Sequence, residues 1–152
     1  MTTHKSDAVQ AGVKADYAKA GVVLCRSSKF VTEDDSIVSG DTIQMVPVPK
    51  NACVLALDLY YSDLPDGCTG TDVGYGGDSD AFMATIPVTG ANFVRWPGSS
   101  YDNNTSDMFL HTFTADDTID IALTSAPTKI PTSQQIYMAV YYKMVGTIGD
   151  EE

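Results

Sequence analysis

The side chains in this 152-residue chain with the best prospects for chemistry are two histidines, three cysteines and twenty carboxylates. A nucleophilic triad needs a histidine in a cleft. His4 lies in a terminus expected to be loose, and His111 alternates with Phe109 and Phe113, a spacing that predicts a structural or interface histidine on a strand. No G-x-S-x-G, Walker A or G-x-G-x-x-G pattern occurs, and Gly74-Tyr75-Gly76-Gly77 reads as a turn between strands. Cys25, Cys53 and Cys68 are odd in number and far apart, with no C-x-x-C and no histidine at ligand spacing, so neither a disulfide framework nor a zinc site is expected. Paired carboxylates for glycoside hydrolysis would have to come from aspartates in turns, where the side chain bonds its own backbone. Two aspartate-rich stretches carry oxygen ligands of the type calcium takes: Asp72, Asp78 and Asp80, and then Asp102, Asn103, Asn104 and Asp107. Neither has the spacing of an EF-hand loop. The reading is a non-enzymatic chain with no catalytic, cofactor or metal residues.

The elements that would carry these residues are strands. In Thr118-Ile119-Asp120-Ile121-Ala122-Leu123-Thr124 the apolar residues recur with period two, which places Ile119, Ile121 and Leu123 on a core face. Residues 53–61 alternate similarly, with Cys53, Leu55, Leu57 and Leu59 expected inward. Residues 136–145 place Ile136, Met138, Val140, Tyr142 and Met144 on one face and Tyr137, Tyr141 and Lys143 on the other, a strand covered on both sides or facing a partner. Further strands are predicted at 21–25, 42–48, 71–75, 81–88 and 108–113, separated by turn residues such as Pro49-Lys50-Asn51 and Gly76-Gly77-Asp78. Pro47 and Pro49 mark an edge or the end of a strand. About eight short strands at this spacing predict an all-β fold, an antiparallel sandwich of jelly-roll type spanning residues 21–149. Residues 1–20 read as an extended, flexible N-terminal arm.

Charge narrows the partners. The formal net charge is -11, which repels nucleic-acid backbones and anionic membranes. No apolar run approaches the length of a membrane span, and the N-terminus lacks the apolar core of a signal peptide, so synthesis in a reducing cytoplasm is expected. The arm carries three lysines against two aspartates, so it is slightly basic on an acidic protein. That makes Lys5, Val13, Lys14 and Tyr17 the expected partner contacts.

Ser39-Gly40-Asp41-Thr42-Ile43-Gln44-Met45-Val46-Pro47-Val48-Pro49-Lys50-Asn51-Ala52 resembles a strand-and-turn pattern of tailed-bacteriophage virion proteins, followed there as here by an apolar strand. The segment from Thr71 to Phe82, the Asp116-Asp117-Thr118-Ile119 strand and the final strand match the same group in order, so the similarity spans about residues 20–146. Members resemble head decoration or cement proteins. The resemblance implies a jelly-roll-like sandwich on the capsid exterior, often a homotrimer, bracing the major capsid protein and neighbouring copies. It carries over no functional residues, and the three cysteines fall outside its pattern. The alternative function is a carbohydrate- or receptor-binding module of a virion, with Trp96, Tyr60, Tyr61, Tyr75 and Tyr101 as candidate exposed aromatics.

Overall fold

The computed structural model describes residues 3–10, 12, 22–32, 38, 40–62, 70–87, 90–103, 105–125 and 133–145. They form two facing sheets. The elements run β1 (Thr3–Lys5), α1 (Asp7–Gln10), β2 (Val23–Val31), β3 (Thr42–Val48), β4 (Ala52–Tyr61), β5 (Gly70–Tyr75), β6 (Asp78–Ile86), β7 (Asn92–Trp96), α2 (Thr105–Met108), β8 (Asp117–Ser125) and β9 (Gln135–Met144). The first sheet has the order β1-β3-β8-β5-β6 and the second β2-β9-β4-β7. All pairings are antiparallel except β1 with β3. This is the jelly-roll-like β-sandwich that the period-two patterning predicts.

The core lies between the sheets and follows that patterning. Ile119, Ile121 and Leu123 of β8 are buried, as are Ile136, Met138, Val140, Tyr142 and Met144 of β9. Phe82 of β6 meets Trp96 of β7 edge to face, with ring centroids 5.0 Å apart. In β4 a register shift between Val54 and Ala56 makes Leu55 an extra residue. The bulge reverses the alternation before it. Leu57 and Leu59 remain inward, but Leu55 is only partly buried, and Cys53 pairs with Lys143 on the other side of the sheet. Cys53 is buried there because Thr112 bridges to it.

Three further expectations need correction. Residues 108–113 are not a strand: Met108 closes the short helix α2, Phe109 and Leu110 form an exposed turn, and only Thr112 makes a bridge. Leu110 takes the left-handed backbone (φ 69°), which breaks the alternation that His111 was expected to follow. Residues 92–96, where no strand is predicted, form β7, with Phe93 and Arg95 facing outward and Val94 and Trp96 facing the core.

The third correction concerns the N-terminus. Residues 3–10 lie on the protein's own body. β1 adds in parallel to β3, pairing Thr3, His4 and Lys5 with Thr42, Ile43 and Gln44. Ser6 is fully buried, and its N–H donates to the Gln44 carbonyl at 2.8 Å while its hydroxyl donates to the carbonyl of Met45. Met45 sits in a β3 bulge between Gln44 and Val46, so the serine satisfies a carbonyl that β8 cannot reach. His4 Nε2 stands 3.0 Å from Asp41 Oδ2. Specific polar partners hold this stretch where apolar burial alone would not. Val13, Lys14 and Tyr17 lie outside the described residues. Since β1 covers only Thr42–Gln44, Pro47 falls on the uncovered part of that edge, where its missing N–H costs nothing.

Candidate functional site

The strands of the two sheets carry opposite formal charge. The first sheet's strands carry five acids (Asp72, Asp78, Asp80, Asp117 and Asp120) against Lys5, a formal -4. The second sheet's strands carry Arg26, Lys29, Arg95 and Lys143 against Asp58 alone, a formal +3. Arg26 pairs with the core residue Val140 and shares its side of the sheet, so the outer face of the second sheet keeps Lys29, Arg95 and Lys143 against Asp58, a formal +2 on a protein of net charge -11.

Strand register builds that face in rows. Lys29 of β2 pairs with Tyr137 of β9, Tyr137 with Tyr60 of β4, and Tyr60 with Phe93 of β7. The next row runs Ser27, Ala139, Asp58 and Arg95. Tyr60, Phe93 and Tyr137 are 41%, 55% and 40% exposed, and the two tyrosine rings are 5.9 Å apart. Beside them the small Ala139 leaves a depression. The result is a groove of about 540 Å3 lined by Ser27, Lys29, Asp58, Tyr60, Phe93 and Tyr137, among others.

Arg95 forks onto Asp58, with Nε to Oδ1 at 2.5 Å and Nη2 to Oδ2 at 2.7 Å. The Tyr141 hydroxyl donates to the same carboxylate at 3.3 Å. The Arg95 hydrogen bonds hold the Asp58 carboxyl below the usual carboxylate range, against a smaller opposing effect of burial. The neighbouring carboxylate in turn raises the Tyr141 phenol. The face therefore combines flat apolar rings, a fixed carboxylate–guanidinium pair and a lysine, an arrangement suited to binding.

On the first sheet Asp120 is buried on the side of β8 away from the core, paired with Gln44 and Gly74. β6 passes so close at Gly74 that a Cβ there would meet the Asp78 carbonyl oxygen at 2.0 Å, so only glycine fits. Asp120 Oδ1 has no hydrogen-bond partner, and burial pushes the carboxyl up to about 7, with Asp117 adding to the effect.

The other residues that drew attention in the sequence are committed to structure. Asp72 accepts from the Thr85 N–H at 2.8 Å, and Asp102 accepts from the N–H groups of Gly98 and Ser99. Asn103 ties the second aspartate-rich stretch to the first by donating to Asp80 Oδ2 at 2.9 Å. No group of three or more metal-ligating side chains occurs among the described residues. His111 stacks on Tyr75 and meets Phe113 edge-on. Cys53 is buried, which raises its thiol, Cys25 is exposed, and Cys68 lies outside the described residues. Of the five aromatics considered for a binding face, Trp96 and Tyr61 belong to the core, Tyr75 and Tyr101 pack partly against it, and only Tyr60 lies on the exposed sheet. Phe93 and Tyr137 complete the row. Tyr137 was legible as the outward residue of β9, whereas Phe93 lies on β7, a strand absent from those predicted.

No protein-family model and no curated protein sequence matches the chain. Solved structures do. The fold is similar to a chain in the capsid of Ralstonia phage GP4, with a TM-score of 0.73 at 18% identity, covering 95% of this chain and 99% of that one. The likeness is one of fold. A chain of the cyanophage Pam1 capsid asymmetric unit aligns with a TM-score of 0.58 at 17% identity over 88% of this chain and 92% of that one. A third, in the acidic stable capsid structure of Helicobacter pylori bacteriophage KHP30, gives 0.56 at 14% identity, with coverages of 86% and 94%.

Proposed function

We propose that this chain is a non-enzymatic structural protein of a bacteriophage virion: a capsid decoration protein on the outer head surface. In this reading it contacts the major capsid protein and neighbouring copies of itself as a homotrimer and braces the shell. It is made in the host cytoplasm and acts in the particle. The observation that carries the reading is the end-to-end match to a chain of the GP4 capsid, 95% of one and 99% of the other. The attachment is assigned to the N-terminal end. Lys5 is exposed on β1 at the edge of the first sheet, and Val13, Lys14 and Tyr17 follow it along the chain.

The test is made on particles of the virus that encodes the chain. Quantitative mass spectrometry should find it in purified virions at a fixed ratio to the shell subunit. Particles assembled without it should release their genome at lower temperature. Replacing Lys5, Val13, Lys14 and Tyr17 together should reduce occupancy without unfolding the sandwich. Absence of the chain from purified particles, or equal robustness of particles lacking it, would refute the reading.

A further inference from the structure

We propose that the outer face of the second sheet binds an acidic polysaccharide, a chain of pyranose rings bearing carboxylates. The proposal concerns the isolated protein and stands apart from whether the chain decorates a shell.

The argument begins with the rings. Tyr137, Tyr60 and Phe93 form one cross-strand row, each substantially exposed, on a sheet whose other face is fully occupied by the core. Exposed aromatics set side by side on a rigid sheet mark a binding surface more often than chance does. A pyranose is amphipathic in the same sense as the groove. Its carbon-bound hydrogens present an apolar face that packs flat on an aromatic ring, while its hydroxyls project at the rim and need partners there.

Those partners are in place. Along the row below the rings, the Asp58–Arg95 pair offers carboxylate oxygens and guanidinium N–H groups in fixed planar geometry. That geometry matches two adjacent hydroxyls, one donating and one accepting. Arg95 is engaged with Asp58 yet its side chain is 57% exposed, so the edge of the fork stays open to a ligand. Lys29 closes the far end of the ring row and lines the groove, and Lys143 lies three rows away on the same face. With one carboxylate on the face against three cations, the occupant it complements is anionic. The volume, about 540 Å3, lies in the range of small-ligand sites. Ala139 forms the floor, where a larger side chain would fill the depression.

The experiment measures binding of the full chain to three soluble polymers of similar length by affinity electrophoresis and calorimetry. Polygalacturonate supplies rings and carboxylates, dextran supplies rings alone, and polyglutamate supplies carboxylates alone. Polygalacturonate is expected to bind, and the other two to bind about tenfold more weakly or not at all. Tyr137→Ala and, separately, Phe93→Ala should each weaken it about tenfold, the scale of losing one stacked ring. Lys29→Gln should weaken it about threefold and flatten the salt dependence. Phe109→Ala, which removes an equally exposed ring outside this sheet, should leave binding unchanged. Melting curves identify any variant that loses its fold, and the two ring variants back each other up. Three results would overturn the proposal: no binding of polygalacturonate, equally tight binding of dextran or polyglutamate, or binding that survives loss of both rings. A ring variant that changes only the oligomeric state would assign the face to a protein interface instead.

Discussion

The two sheets share one core and diverge on their outer faces. The strands of the first sheet carry five aspartates, of which Asp72 and Asp117 accept from backbone N–H groups and Asp120 is buried with one carboxylate oxygen unpartnered. The second turns outward three aromatic rings, a carboxylate–guanidinium fork and two further cations. A face that spends its polar groups on its own turns has little left for a partner. One that leaves rings exposed on a rigid strand has placed them against the tendency of apolar area to be buried, worth about 25 cal/mol per Å2. Ligand binding is therefore sought on the outer face of the second sheet, and strain on the first.

The largest effects should fall where the sheets meet, and they should be the same from either side. Leu57→Ala on the second sheet and Ile121→Ala on the first each remove a fully packed side chain and should cost about 2–5 kcal/mol in chemical denaturation. A clear inequality, with one of them near zero, would mean that the sheets do not share a single core.

Next in size is the buried carboxylate. Burial pushes the Asp120 carboxyl in the folded protein up to about 7, from an ordinary value of 3.8, so the native state holds its proton more tightly than the unfolded chain does. Below the lower value both states are protonated and there is no penalty. As pH rises from about 4 to about 7 the folded state loses stability, by up to about 4 kcal/mol at 1.36 kcal/mol per unit. Asp120→Asn should therefore raise the melting temperature at pH 8 and change it little at pH 4. A variant that is less stable at pH 8 would show that the carboxylate makes contacts as an anion that outweigh its burial.

The face of the second sheet should respond least. Arg95→Ala breaks an ion pair whose arginine is largely in water, so it should leave the melting temperature nearly unchanged. Tyr137→Ala removes an exposed ring and should likewise shift stability by less than about 1 kcal/mol. If either proves as costly as a core truncation, the face is structural and the contrast with the first sheet disappears.

Much of the sandwich was legible because period-two alternation survives wherever one face of a strand is buried. β8 and β9 display it over their whole length, and β3 was found with its ends correct at Thr42–Val48. The failures share a cause, since each involves an irregularity that periodicity cannot see. The bulge at Leu55 shifts the inward set of β4 by one residue, and the left-handed Leu110 ends the alternation around His111. β1 is three residues long and is held by Ser6 and His4 through partners 37 to 39 positions away, contacts that no local pattern encodes. The groove was half legible. Tyr137 and Tyr60 lie outward on strands whose pattern was clear, but which strands are neighbours, and hence that Phe93 and Lys29 join the same row, is a property of topology.

The most direct test combines the location of the chain with the contrast between its faces. Hydroxyl-radical footprinting of purified virions, followed by mass spectrometry, reads the modification of Tyr60, Phe93 and Tyr137 against the same residues in the free protein. The account predicts that the chain is present in the particle and that these three rings are modified as readily there as in solution, with the second sheet facing outward. Protection of the rings in the particle, or absence of the chain from it, would contradict that claim.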